Sequence, residues 1–207
     1  MFLRRTKKEA DETRRQILET ATDMFIENGF SNTSLTDISH KIGMTKGAVY
    51  WHFKNKDDVL LQIVKKNCSL IIQDAVNSLV DPESGDTIFS FYKKVLERPA
   101  SDKRYAKFHS LMRQNHDWPE DVRPAVFAIF DETLQTERKL VENYITRAQT
   151  DGMMRADIEA EKVAVVIASI INGLCMLQTK ELLPPEFLKY DRLLFESFSQ
   201  TLASLKL

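Results

Sequence analysis

Apolar residues recur along this chain at helical rather than strand spacing. Ile17, Leu18, Ala21, Met24 and Phe25 fall on one helix face, and Asn28-Gly29 supplies a left-handed stop. Thr6 and Glu9 fit a capping box for that helix, with a start near Asp11 as the alternative. Ser34 and Asp37 form a second capping box, opening a short helix that carries Leu35, Ile38 and Ile42 and ends at Gly43. Thr45 caps a third short helix running to about Phe53. Asn55 caps a fourth over 56–79, with Asp57 and Asp58 favourably placed in its first turn. "DPESGD" breaks that helix, and the remaining punctuation predicts helices over 86–97, 102–115, 120–150, 157–180 and 186–205. No strand-like alternation of useful length intervenes, and there is no internal repeat. The pattern predicts an all-α chain of about nine helices. A small N-terminal unit over 1–55 would be joined by the bridging helix 56–79 to a larger bundle over 80–207.

Composition is that of an ordinary globular protein, 43% hydrophobic and 29% charged, so it leaves that architecture unchanged. The net charge of -1 gives no reason to expect nucleic acid, but its distribution does. Residues 1–56 carry ten Lys and Arg against seven acids, a net of +3, and the remainder carries -4. A basic module on a mildly acidic body is implied. Cys68 and Cys175 lie far apart inside apolar helical patterns, as free buried thiols of a reducing cytosol would. The run Val163–Leu177 is interrupted by Ser169, Asn172 and Gly173, too short and polar to span a bilayer, and a cytoplasmic protein is expected. His109 and His116 lack carboxylate or thiolate partners at metal-ligand spacing, so no metal or cofactor is called for. The absence of a Gly-rich phosphate loop, HExxH, CxxC or nucleophile elbow argues against an enzyme.

The chemistry concentrates in the second and third helices, which only Gly43-Met44-Thr45 joins. That turn is too tight for an antiparallel hairpin and suits two steeply crossing helices, a helix-turn-helix whose second member enters the DNA major groove. Ser39 supplies the small residue where the helices touch, Gly43 the turn and Val49 the apolar anchor. Ile38, Ile42, Val49 and Phe53 would pack on the first helix. Burying Val49 and Phe53 rotates Lys46, Gly47, Ala48, Tyr50, Trp51 and His52 outward. Lys46 can donate to guanine O6 and N7, and the Ala48 methyl can touch a thymine methyl. Tyr50 and His52 offer donors to phosphate, Lys54 and Lys56 add cations, and amides near Thr36 add backbone donors. Thr45, at the start of the helix, completes the candidate set. For Trp51, packing and backbone contact stay open, and "RRTKK" is either a minor-groove arm or a solvated tail.

The segment "SLTDISHKIGMTKGAVYWHFKNKDDVL" resembles the DNA-binding signature of the TetR-family transcriptional repressors, with good likeness from about Thr13 to Val64. "RRTKKEADETRRQIL" and the Gly47-Ala48 pair look most like the multidrug-efflux, AcrR-like branch. The resemblance implies that Lys46 contacts bases, that Tyr50 and His52 contact phosphates and that Thr36 lies at the DNA surface. It also implies a homodimer on a pseudo-palindromic operator, released when a small hydrophobic effector enters the C-terminal bundle. A regulator of lipid or acyl-chain metabolism using the same mechanism is the alternative, as is a helical small-molecule-binding module with no DNA role.

Beyond about residue 80 the resemblance is architectural and transfers no ligand residues. The stripes Tyr105-Phe108-Met112 and Phe127-Phe130-Leu134 read first as core. In a sensing bundle, Phe89, Tyr92, Phe108, Met112, Phe127 and Phe130 become candidate effector contacts. The helix around "VAVVIASIINGLCMLQ" is apolar nearly all round, so it needs cover on more than one side. With the last helix it is the candidate two-fold interface, through Ile167, Ile171, Leu174, Leu194, Phe198 and Leu202. Asn172 and Gln178 within it would be costly if left unpaired.

Overall fold

A computed structural model describes residues 7–80 and 88–183. Among the described residues there are eight α-helices and one short 3-10 helix, and no strand. In chain order they are α1 (Lys7–Asn28), α2 (Leu35–Lys41), α3 (Lys46–His52), α4 (Lys56–Leu79), α5 (Ile88–Ser101), α6 (Lys103–Arg113), α7 (Val122–Thr150) and α8 (Ala160–Thr179). The 3-10 turn Asn115–Asp117 lies between α6 and α7. The helix anticipated over 186–205 lies outside the described residues.

The chain divides into two compact units, Met1–Asn67 with Lys107–Ile129, and Cys68–Ala106 with Phe130–Leu207. The division falls inside α4, α6 and α7, and the segment 107–129 joins the N-terminal unit although its sequence pattern reads as part of the bundle. In the first unit, Ile17, Leu18, Ala21 and Phe25 of α1 are buried with Ile38, Val49, Phe53, Leu60 and Val64. Phe30, in the turn after α1, packs against Phe25 with the rings tilted by 54° and their centroids 5.0 Å apart. Gly29 ends α1 at φ +86°, a conformation that side chains resist, and its N–H bonds the Phe25 carbonyl at 3.1 Å. In the second unit, Ala75, Leu79, Phe91, Tyr92, Leu96, Val141, Ile145, Ala164, Ile167 and Ile171 form one buried cluster.

Several boundaries depart from the sequence pattern. α5 does not stop at "RPASD" but runs through Pro99 to Ser101. A proline forfeits one helical hydrogen bond while its fixed φ still suits the helix. Here Arg98 ties the segment down through a 2.6 Å ion pair to Asp74, and the Asp102 N–H closes the turn on the Arg98 carbonyl. α7 starts at Val122, with Pro124 in its first turn where no N–H partner is needed. α8 starts three residues later than its pattern suggests. The Gln149 side-chain amide bonds the Arg155 and Ile158 carbonyls at 2.9 and 2.7 Å, holding that approach out of the helix. As formed, α8 has 20 residues and is long and apolar enough to cross a membrane by length and composition, which corrects the shorter reading. Cys68 is buried, Cys175 half-buried, and both are free thiols.

Candidate nucleic-acid interface

The reading head is fastened by backbone capping before any packing is counted. The Ser34 hydroxyl accepts from the Asp37 N–H at 3.1 Å, and the Asp37 carboxylate accepts from the Ser34 N–H at 2.9 Å. These bonds from Ser34 hold the Asp37 carboxyl below its ordinary range. Gly43 turns the chain at φ +66°, and the Met44 N–H reaches back to the Ser39 carbonyl at 2.9 Å. Thr45 then caps α3 by accepting from the Ala48 N–H at 3.3 Å. Ser39 is fully buried and donates its hydroxyl to the Thr36 carbonyl at 2.7 Å, so a small polar residue sits in the core without an unmet donor. Ile42 forms the C-cap of α2 and is half-buried rather than packed in the core.

α3 is the exposed member. Val49 and Phe53 are buried, while Thr45, Lys46, Gly47, Tyr50, Trp51 and Lys54 face outward. The Lys46 ammonium lies 5.4 Å from the centroid of the Tyr50 ring, one turn on, so the base-reading candidate and the phosphate candidate form one contiguous surface. Trp51 is 75% exposed, so packing within this chain does not account for it. Its indole meets the His52 ring edge-on at 4.6 Å. Ala48, His52 and Thr36 are half-buried.

Lys56 departs from its expected role. Its ammonium donates to the Phe30 carbonyl at 2.6 Å and to the Ser31 carbonyl at 3.3 Å, and lies 4.4 Å over the Phe30 ring. Burial lowers its pKa. Lys56 therefore fastens the turn after α1 and is not a free phosphate hook. Beside it, Asn32, Ser34, Leu35, Tyr50 and Asn55 border an open depression of about 300 Å³. Asn32 and Asn55 lie outside the sequence-derived set, because a loop asparagine carries no periodic signal.

Among the effector candidates, Tyr92 belongs to the buried cluster of the second unit. Phe108 is buried in the first unit, Met112 and Phe130 are half-buried, and the side chain of Phe89 lies outside the described ones. Phe127 is 53% exposed and Leu134 is exposed too, so the stripe they form is not core. Of the interface candidates, Ile167 and Ile171 are buried in the second unit's own cluster, and Leu174 is half-buried and packed against it. The exposed apolar positions of α8 are Val165, Val166, Ile170 and Met176. Leu194, Phe198 and Leu202 lie outside the described residues. Gln178 meets part of its expected need, donating to the Leu96 carbonyl at 3.0 Å.

A capped helix pair with its second helix turned outward defines a helix-turn-helix DNA-binding protein. Residues 17–63 match the family described as bacterial regulatory proteins, tetR family. Over 173 residues the chain is 42% identical to the probable acrEF/envCD operon repressor of Escherichia coli (strain K12), covering 83% of this chain and 78% of that one. It is 28% identical over 175 residues to the HTH-type transcriptional regulator AcrR of Shigella flexneri, covering 83% and 80%. The solved SmeT-triclosan complex superposes with a TM-score of 0.73 at 26% identity, over 93% of this chain and 91% of that one. The chain belongs to the TetR family of bacterial transcriptional regulators, and it is a DNA-binding transcriptional repressor.

Proposed function

We propose that this repressor reads a pseudo-palindromic operator as a homodimer and is released by a small hydrophobic effector, controlling multidrug efflux. The observation that carries the reading is the outward face of α3, where Lys46, Gly47, Tyr50 and Trp51 stand exposed over buried Val49 and Phe53. Lys46 donates to guanine O6 and N7, the bare Gly47 lets the backbone approach the groove floor, and Ala48 touches a thymine methyl. Thr36, Thr45, Tyr50, Trp51 and Lys54 hold sugar and phosphate, with His52 contributing from its half-buried position. On this reading residues 1–55 act as the DNA-binding domain and effector binding and dimerisation fall within 80–207, apart from the segment 107–129 that packs in the reading head's unit.

The dimer is supported by α8. A helix with one face in its own core and Val165, Val166, Ile170 and Met176 exposed on the other needs a second cover, and a second copy supplies it in water. That cover also answers the membrane-like composition of α8 and agrees with a cytoplasmic protein. Efflux control is supported by the structural neighbour SmeT, solved with triclosan and described as the repressor of the Stenotrophomonas maltophilia multidrug efflux pump SmeDEF. The effector acts by binding the operator-incompetent state more tightly, since equal affinity for both states shifts nothing.

Selection of bound duplexes followed by mobility shift tests the reading. A two-fold motif should emerge, and log K should fall with log[salt] at a slope near about -0.9 per neutralised phosphate. Salt-independent or absent duplex binding would overturn it.

A further inference from the structure

Part of the basic excess of the N-terminal segment is already committed within the chain. Arg14 and Arg15 are neighbours on α1 with different partners. Arg15 is exposed and pairs with Glu12 and Glu19, one turn to either side. Arg14 is half-buried and reaches across to α3 and α4. Its Nη2 donates to the Gln62 Oε1 at 2.8 Å, and its guanidinium carbon lies 5.1 Å from the centroid of the Phe53 ring. Phe53 is the residue that ends α3. It is 1% exposed, and its N–H closes the last turn on the Val49 carbonyl at 3.1 Å.

Gln62 carries the contact onward. Its Nε2 donates to the Asp58 Oδ1 at 3.4 Å, the longest link, and the Asp58 Oδ2 accepts from the Lys54 N–H at 3.1 Å. The Asp58 N–H in turn donates to the Asn55 Oδ1 at 2.8 Å. A line of donors and acceptors therefore runs from α1 through α4 to the residue just beyond the C-cap of α3. The helix it steadies has only seven residues. So short a helix makes few internal bonds, and its orientation is set by what holds its two ends. Thr45 caps the first end, and the Phe53 ring under the Arg14 guanidinium, with the Asp58 bond to Lys54, holds the second. A planar guanidinium fixes rotation as well as distance, which an ammonium on a flexible stem does not. Orientation matters most for base edges, since phosphate contacts tolerate a small shift that a bidentate base contact does not.

We infer that Arg14 is a positioning residue for operator reading: through the Phe53 ring, Gln62 and Asp58 it sets the orientation of α3 without touching DNA itself. The inference rests on the reading of α3 as the base-reading helix. It gives an arginine of the basic N-terminal segment a role other than neutralising phosphate, and it makes the uncharged Gln62 its partner in that role. Operator affinity should then depend on both residues, whereas the sequence-independent attraction to DNA should depend on neither.

Arg14→Ala, Gln62→Ala and the double variant, made in the full chain, test this by mobility shift on the selected operator and on random duplex. The temperature is chosen so that circular dichroism shows each variant folded. Each single variant should weaken operator binding about tenfold while random-duplex affinity stays within about twofold and keeps its salt slope. The double variant should lose little more than either single, because both substitutions cut the same line. Gln62→Ala removes no charge, so it carries the test even where Arg14→Ala fails to fold. Equal losses on operator and random duplex with Arg14→Ala, with a salt slope shallower by about 0.9, would make Arg14 a phosphate ligand and overturn the inference. Unchanged operator affinity in the folded variants, whatever their unfolding midpoints, would leave the line a stabilising contact only and overturn it as well. Wild-type preference for the operator over random duplex, measured alongside, separates that failure from a failure of the repressor reading itself.

Discussion

Ser31 and Asp117, 86 positions apart, hold each other by two hydrogen bonds. The Ser31 N–H donates to the Asp117 carboxylate at 2.9 Å, and the Ser31 hydroxyl donates to the Asp117 carbonyl at 3.1 Å. The turn between α1 and α2 is thereby tied to the 3-10 turn after α6. Two further links run alongside: the Gln114 amide on the Ile26 carbonyl at 3.0 Å, and the Lys107–Asp23 ion pair at 2.6 Å. These contacts place residues 107–129 in the same unit as the reading head.

Gly29 tests how tight that tie is. A Cβ at this position would stand 2.9 Å from the Asp117 carboxylate oxygen, at a backbone φ of +86°. Gly29→Ala should destabilise the protein by about 1–3 kcal/mol in urea unfolding. Asp117→Ala removes the clash along with the Ser31 N–H bond to its carboxylate, keeps the bond to its backbone carbonyl, and should cost about 1 kcal/mol alone. The double variant should therefore lose less than the sum of the singles. Strict additivity would show that the two positions do not crowd each other. Bonds from Ser31 hold Asp117 below its ordinary pKa of 3.8, so its contribution is present above that value and lost as the pH falls through the lower folded one.

Gly47 lies in the first turn of α3 with nothing within 4 Å of where a Cβ would go. Nothing inside the chain calls for glycine there, and alanine should favour the helix by about 1 kcal/mol. Gly47→Ala should raise the unfolding midpoint while weakening operator binding by tenfold or so, about 1.4 kcal/mol. A variant that is both more stable and fully operator-competent would mean that α3 does not approach the groove at this turn.

Lys46, Tyr50 and Trp51 should separate by the kind of loss they produce. Lys46→Ala should relax the selected preference at one operator position, costing about 1–3 kcal/mol. Tyr50→Phe should weaken binding to a similar extent on every sequence, because it removes only a phosphate contact. Trp51→Ala should leave thermal unfolding nearly unchanged, since three-quarters of its surface is already in solvent, but should reduce affinity across sequences. Selected-oligonucleotide binding with the three variants reads all of these outcomes.

Glu137 should carry a pH signature in stability. Its pKa rises from 4.5 to about 7 on folding, so its stabilising contribution is present below 4.5 and lost as the pH rises through 7. Glu137→Gln should therefore gain on the wild type as the pH rises, by about 2–3 kcal/mol at pH 8 relative to pH 4. Parallel denaturation curves across that range would show that the carboxyl does not titrate inside the fold.

The reading head was legible residue by residue because its determinants are local. Capping at Ser34 and Thr45, the glycine turn and the spacing of Val49 and Phe53 all act within a few positions, and the structure reproduces each. The bundle was legible only as helices. Its periodicity showed that α8 needs cover on two sides but not which side faces its own core, since Ile167 and Val166 are equally apolar as letters. Likewise the Phe127-Leu134 stripe has core spacing but lies exposed, because spacing records a shared face and says nothing of what covers it.

The sequence by itself determined the all-α class, the helix-turn-helix and the outward α3 face, because local hydrogen bonding and side-chain period decide these before any distant contact forms. Tertiary structure decided what distance in sequence conceals. It turned Lys56 from a phosphate hook into a fastener of the turn after α1, since its ammonium reaches carbonyls some 25 residues away. It tied Ser31 to Asp117, and it gathered Tyr92 and Cys175 from two other helices around the buried Glu137 carboxyl. Charge and burial act through space, and where separate helices bring these side chains together is set only when the whole chain has packed.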